Sequence, residues 1–559
     1  MYMKRIIVDL LSKHINLEKE EIEKLIEIPP SSELGDYAFP CFVLAEKEKK
    51  NPIQISSELA GKIELPAEIS QVKAVGAYLN FFVNKNFLAQ KTIKEIIKQK
   101  ENFGKPKKTK KEKIVIEFLS PNTNKPLHIG HLRNMAIGES VSRILESEGN
   151  RVIRTNLYND RGIQICKSML AYKKFGNNKK PNKKPDHFVG DFYVLFNKKV
   201  AENQDLEKEA QELLRKWEAK DKETFDLWKK MNSWAIKGIK DTYKKFGIKF
   251  DKDYYESKIY EKGKEIIQEG LRKGLFRKRE DNAIVVNLGE LGEKVLLRKD
   301  STSIYITQDL YLAKLKYQDY KFDKSIYVVA NEQNYHFKVL FKILKMLNYE
   351  FSDRLVHLSY GMVNLPEGRM KSREGKVVDA DDLIEEMENL AIKELNKRYK
   401  LNKNELKRRA RKIALSSIKY FLLKTDAVKD ITFNPEEAIN FEGNSGPYLQ
   451  YSYARASSIL KKAKKKLEIK FVSLKPQEIS LIKKLAEFPE IMKKAATQIN
   501  PVILANYAFD LCQKFNEFYH SCPVIGSEEE SCRLSLVLAF KIVVKSVLYM
   551  LGIEVLERM

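Results

Sequence analysis

Two histidines three residues apart, His128 and His131, follow a turn rich in asparagine, lysine and proline: Ser120-Pro-Asn-Thr-Asn-Lys-Pro-Leu-His-Ile-Gly-His131. The spacing puts both imidazoles on one face of the first turn of a helix, where unpaired backbone N–H groups and the helix dipole already favour an anion. Gly130 between them leaves room for close approach of a ligand. Paired histidines at this spacing also suit a metal ion or a polar helix end. The rigid polar turn before them, with Asn122, Asn124 and Lys125, shifts the balance toward a nucleotide phosphate.

Such a site needs a strand before it and a helix after it. The apolar run 114–118 reads as a buried strand, and Ile129, Leu132, Ala136, Ile137, Val141, Ile144 and Leu145 then recur at helical spacing until Gly149-Asn150 stops them. A second strand is expected at 152–157. Strand, helix and strand in so short a span imply a right-handed crossover and a parallel sheet, whose ligand crevice lies beyond the carboxyl ends of the strands. Strands and helices alternate to about residue 380, with later strands at 326–330 and 354–363, so the expected core is a doubly wound, Rossmann-like α/β domain spanning 112–400. Residues 169–244 are charged and helical, an insertion. Amphipathic segments at 406–423, 448–467, 478–494 and 534–551 predict an all-helical region over 401–559, and residues 1–104 mix helix and strand as an α+β domain, with the lysine-rich stretch 105–113 as linker.

The chain has 559 residues and a formal net charge of +26, which implies several domains and a polyanionic partner. Positive charge is clustered at 105–113, 179–184 and 461–466. The five cysteines form no Cys-x-x-Cys pair, so neither structural zinc nor a disulfide framework is expected, and no resident metal is assigned. No window approaches the ~20 apolar residues of a membrane span. A cytoplasmic protein without a membrane partner is expected.

The turn and its histidines resemble the HIGH signature of class I aminoacyl-tRNA synthetases, and the flanking residues resemble the arginyl enzymes. That resemblance implies a class I, HIGH-type catalytic domain that activates L-arginine with ATP, accompanied by Mg2+, and transfers it to tRNA(Arg); a monomer is expected. Gly368-Arg-Met-Lys-Ser-Arg-Glu-Gly375 takes the place of the second, KMSKS signature. The implied ATP contacts are Asn122, His128, Gly130, His131, Met370, Lys371 and Ser372, and Lys371 and Arg373 would hold the β- and γ-phosphates. With Met370 aligned, Ser372 stands where most members carry a catalytic lysine, and Lys125 is the candidate replacement charge. A guanidinium has five fixed donors and demands carboxylates and amide oxygens. Tyr305 and Asp309 in Tyr305-Ile-Thr-Gln-Asp309 resemble the residues that meet the substrate side chain, Glu117 and Asn122 those near its α-ammonium, and Gln333 a further contact.

Two terminal regions carry the resemblance further. Glu33-Leu-Gly-Asp-Tyr-Ala-Phe-Pro-Cys-Phe42 and Gly76-Ala-Tyr-Leu-Asn-Phe-Phe82 resemble an N-terminal domain that contacts the tRNA elbow. Asn444-Ser-Gly-Pro-Tyr-Leu-Gln-Tyr-Ser-Tyr-Ala-Arg455 resembles the anticodon-binding domain, which makes Tyr448, Gln450, Tyr451, Tyr453 and Arg455 candidate tRNA contacts. The rival readings are another class I synthetase, disfavoured by the acidic set expected for a guanidinium, and a tRNA-binding protein with a retired active site.

Overall fold

The computed structural model describes residues 2–106, 110–300, 304–364, 366 and 378–559. Its central sheet has five parallel strands in the order Leu355–Tyr360, Lys324–Ala330, Lys113–Glu117, Arg151–Tyr158, Lys252–Tyr255. Side chains alternate between faces along a strand, so Ile114 and Ile116 enter one core while Val115 enters the other. Helix Ile129–Ser147 covers the first face, and helices Gly263–Arg272, Tyr305–Tyr320 and Asn334–Met346 cover the second. The chain works outward from Lys113–Glu117 on one side and then returns to lay Lys324–Ala330 on the other. The crevice beyond the carboxyl ends of these two neighbours is therefore the topological switch point, where a doubly wound sheet binds its ligand.

The strands expected at 114–118 and 152–157 are both present, the first shifted by one residue toward the N-terminus and the second one residue longer at each end. The expected strand at 354–363 is broken: Leu355–Tyr360 belongs to the sheet, and Val363–Asn364 instead pairs in parallel with Ile431–Thr432. Residues 276–297, read as part of the alternating pattern, form a separate three-stranded antiparallel sheet. The helical insertion comprises Ile163–Phe175, Pro185–Glu202, Asp205–Glu218 and Lys222–Lys245, with its own apolar core around Met169, Tyr172, Phe188 and Phe196.

The N-terminal sheet, Tyr37–Pro40, Tyr78–Val83 and Ile69–Val75, packs in a core of its own with the first helices. Helix Lys85–Gln99, which composition groups with that region, instead joins the largest core through Ala89, Ile93 and Ile96. That core runs without interruption from there through Ile114 and Ile116 to helices Lys403–Leu423, Gly446–Lys462, Pro476–Thr497, Val502–Ser521 and Glu530–Met550. Among the described residues, no helix is long and apolar enough to cross a membrane.

Gly138 shows how closely the first face is packed. A Cβ built there would stand 2.4 Å from Cγ of Phe118, a fully buried ring. Alanine normally gains up to ~1 kcal/mol over glycine in a helix interior. Overpacking costs ~1–3 kcal/mol and wins here. Gly138→Ala is expected to lower the free energy of unfolding in urea; a stabilised variant would contradict this packing.

Candidate active site

The chain leaves the strand Lys113–Glu117 through two successive non-glycine residues with left-handed backbone, Leu119 (φ 76°) and Ser120 (φ 45°). Such conformations are uncommon away from glycine and asparagine and persist only where neighbours impose them. Here side-chain amides do so. The Leu119 N–H donates to Asn134 Oδ1 and the Ser120 N–H to Asn156 Oδ1 at 3.1 Å, while Asn159 Nδ2 donates to the Ser120 carbonyl at 2.9 Å. Asn134 is buried, and its own Nδ2 donates to the Val328 carbonyl at 2.8 Å and the Tyr360 hydroxyl at 3.1 Å, so one amide joins three strand ends. Thr123 donates to Asn232 of the insertion, and Asn232 and Trp228 donate to the Asp160 carbonyl at 3.2 and 2.6 Å. The insertion thus braces the turn. Asn134, Asn156 and Asn232 have no sequence signature beyond their type.

His128 caps helix Ile129–Ser147 from an extended backbone. Its Nδ1 accepts from the Gly130 N–H at 3.2 Å, and its own backbone N–H donates to His131 Nδ1 at 3.1 Å. Both Nδ1 atoms are therefore acceptors, and each neutral ring must carry its proton on Nε2. The ring centroids are 3.9 Å apart. Burial, reinforced by the Lys125 charge, pulls His128 down to about 3 and His131 well below the ordinary imidazole value. The pair offers two neutral N–H donors. The space that Gly130 provides is occupied by the His128 ring, since a Cβ there would lie 3.0 Å from its Cε1.

Lys125 stands beside this pair. It is half-buried, and among the described residues its ammonium makes no hydrogen bond or ion pair. With Leu127, His128, His187, Tyr193 and Asp379 it lines a cleft of about 160 Å³. An unpartnered, partly desolvated cation next to two N–H donors at a helix N-terminus is the combination that an anion would satisfy. Asn122 is exposed on the same turn, bridged to Asn159.

On the far face of the sheet, Tyr305 and Asp309 lie one turn apart on helix Tyr305–Tyr320, with Tyr305 71% exposed. Asp309 Oδ2 lies 2.7 Å from His336 Nε2, three residues beyond the exposed Gln333, so the carboxylate is already oriented by an imidazole that sequence reasoning passed over. Glu256, also unanticipated, is buried; desolvation pushes its carboxyl up to about 7 even with Arg161 at 3.8 Å, and the Asp309 charge acts in the same direction. Glu117 ends the strand Lys113–Glu117. It is 5% exposed and ion-paired with the wholly buried Lys316, so its carboxylate is already engaged within the protein.

In the C-terminal region the five expected residues divide. Gln450 and Tyr453 are buried and hold the chain's later segments: Gln450 Nε2 donates to the Glu554 carbonyl at 2.6 Å and the Tyr453 hydroxyl to Glu557 at 2.8 Å. They are packing residues, not surface contacts. Tyr448, Tyr451 and Arg455 are half-exposed, with the Arg455 guanidinium 4.8 Å from the Tyr451 ring centre and 4.7 Å from that of Tyr519. Met370, Lys371, Ser372 and Arg373 lie outside the described residues.

Asp186, His187 and Asp381 bring three potential metal-ligand atoms within 4.8 Å of one another. The Lys184 ammonium already sits 2.8 Å from Asp186 and 2.7 Å from Asp381, so the cluster has its cation.

Residues 92–435 match the family model described as tRNA synthetases class I (R), catalytic domain; residues 449–559 match the DALR anticodon binding domain and residues 1–83 the arginyl tRNA synthetase N terminal domain. An arginine–tRNA ligase of Treponema denticola is 47% identical over 557 residues, covering 96% of this chain and 94% of that protein. The corresponding ligase of Treponema pallidum is 44% identical over 97% of this chain and 95% of its own length. The Thermus thermophilus arginyl-tRNA synthetase superposes with a TM-score of 0.81 at 25% identity, over 100% of this chain and 99% of that one.

The histidine geometry has a pH signature. Burial leaves His128 with a folded-state value of about 3 against 6.5 for an ordinary imidazole, so as pH falls the unfolded chain takes up the proton first. Stability present above pH 6.5 is lost as the solution is acidified toward 3. The urea midpoint is expected to fall between about pH 7.5 and 5.5, and to fall less in His128→Asn. Equal slopes in the two proteins would refute a buried neutral imidazole.

Proposed function

The chain belongs to the arginyl-tRNA synthetases, and we propose that its chemistry is carried out at the switch-point crevice by the two Nε2–H donors of His128 and His131 together with the Lys125 ammonium. The enzyme is an arginine–tRNA ligase: the arginine carboxylate attacks the α-phosphate of ATP, diphosphate leaves, and the ribose hydroxyl of the terminal tRNA adenosine then takes the arginyl group from the adenylate, releasing AMP. Neither step needs a covalent enzyme intermediate, so the protein contributes positioning and charge stabilisation. The observation that carries the reading is Lys125, half-buried without a partner among the described residues and lining one cleft with His128.

Each group has a task. His128 and His131 donate to phosphate oxygens without changing charge, because burial keeps both neutral. Lys125 supplies the positive charge that Ser372 does not. Magnesium arriving with ATP neutralises part of the phosphate charge. Asn122 holds the amino-acid head group, and Lys371 and Arg373 act on the β- and γ-phosphates. Asp309, with one oxygen fixed by His336, offers the other to the guanidinium, and Tyr305 and Gln333 complete that end. A lysine in the same place would leave acceptors unpaired, which is worth discrimination on the order of 10⁴-fold.

The outlying regions serve tRNA. Residues 1–104 contact the elbow, and the half-exposed Tyr448, Tyr451, Arg455 and Tyr519 stack on unpaired bases of the anticodon loop. The enzyme works as a cytoplasmic monomer.

Two measurements test this. ATP–pyrophosphate exchange, run with each amino acid and with or without tRNA, is expected to respond to arginine alone; absence of arginine-dependent exchange in both conditions sinks the reading. Lys125→Ala is expected to retain the fold and lose roughly 10²-fold in the activation rate, the typical cost of one charge-stabilising donor. Near-normal exchange by that variant would remove Lys125 from the mechanism.

A further inference from the structure

Two residues beyond His131, Arg133 is wholly buried on the same helix. Among the described residues no carboxylate lies within ion-pairing distance of it; its guanidinium is met by backbone. Nη1 donates to the carbonyls of Gly361 and Met362 at 2.7 and 3.2 Å, and Nη2 to those of Asp426 and Ala427 at 3.4 and 3.2 Å. The first two carbonyls lie where the edge strand Leu355–Tyr360 ends. The other two belong to the turn after helix Lys403–Leu423, at the C-terminal end of the stretch that matches the catalytic-domain model.

These two segments also grip each other. The Gly361 N–H donates to the Ala427 carbonyl at 2.8 Å, the Met362 N–H to Asp430 Oδ1 at 2.7 Å and the Ile431 N–H to the Met362 carbonyl at 3.0 Å, after which Val363–Asn364 pairs with Ile431–Thr432. Gly361 has no room for a side chain, since a Cβ would lie 2.5 Å from the Lys429 carbonyl carbon. Asn500 Nδ2 donates to Asp426 Oδ2 at 3.3 Å and carries the connection to the start of helix Val502–Ser521.

A buried cation without a carboxylate is expensive, and burial pulls the Arg133 guanidinium down to about 10. An apolar residue would pack this position at less cost. Only the planar fork of arginine can answer carbonyls from two segments at once; lysine, a point donor on a flexible stem, cannot.

We propose that Arg133 is a positioning residue for the reaction: it holds the histidine-bearing helix, the chain at 361–364 and the turn 426–431 in one register, so that the docking of the C-terminal helices, linked to that turn through Asn500, fixes the geometry of the phosphate site. Asp430 is the second half of this clamp, acting on Met362 from the exposed side.

The test uses the full-length enzyme, with aminoacylation rates expressed per titrated active site. Arg133→Lys is expected to lower kcat at least tenfold while KM for arginine, ATP and tRNA stays within twofold. Asp430→Ala, at an exposed position, is expected to lower kcat in the same way by a smaller factor, and Asp430→Asn, which keeps the acceptor for Met362 N–H, to restore it. The two losses combined in one protein should be less than multiplicative, because both act on one clamp. A merely structural arginine would reduce melting temperature and active fraction without changing kcat per active site, and that result overturns the proposal. So does an Asp430→Asn variant as slow as Asp430→Ala, which decides the matter if Arg133→Lys does not fold.

Discussion

Everything at this site depends on one turn held in a conformation its residues would not choose. Leu119 and Ser120 take left-handed backbone because Asn134 and Asn156 accept their N–H groups, and without those amides the chain would leave the strand in another direction. The cost of such a pair is of order 1–3 kcal/mol per residue, and it is met by groups buried in the sheet and the following helix. The direction so imposed sends the chain across the switch-point crevice and brings His128 to the N-terminus of the helix that follows. The histidine tautomers, the unpaired lysine and the brace from the insertion all come after that decision.

The electrostatics of the two ends of the crevice differ in kind. At the proposed phosphate end, Lys125 and the histidine N–H donors stand without protein partners among the described residues; at the proposed amino-acid end, carboxylates are already engaged, Asp309 with His336 and Glu117 with Lys316. A polyanionic phosphate chain can bring enough interaction energy to desolvate a bare lysine, whereas burial pushes a carboxyl up toward its neutral form, as it does Glu256 even with Arg161 at 3.8 Å.

The sequence made the local elements plain and the long-range ones obscure. Helix Ile129–Ser147 and the flanking strands follow from apolar spacing and from Gly149, because their stabilising contacts are close along the chain. The break of the expected 354–363 strand is invisible to periodicity, since it depends on Ile431–Thr432, some seventy residues later, offering a second edge. Likewise the histidines announced themselves by spacing, but Asn134, Asn232 and His336 act through partners far away in sequence and resemble ordinary polar residues. Gln450 and Tyr453 illustrate the converse: a resemblance identifies a residue type without saying how deeply its side chain is buried. Residue chemistry was legible; orientation was not.

The uninterrupted core that joins the catalytic sheet to the C-terminal helices also has a history in time. Ile114 and Ile116 are covered by the same apolar cluster as Phe540, Val544 and Leu548, which are synthesised some four hundred residues later. During translation the outer side of helix Ile129–Ser147, which in the finished protein packs against helices Lys403–Leu423, Pro476–Thr497 and Glu530–Met550, therefore stands exposed while most of the protein is being made, and contacts so distant in sequence close slowly. The same single core that keeps the finished enzyme in one register leaves its nascent chain dependent on shielding by other means, such as chaperone binding, until the last helices emerge from the ribosome.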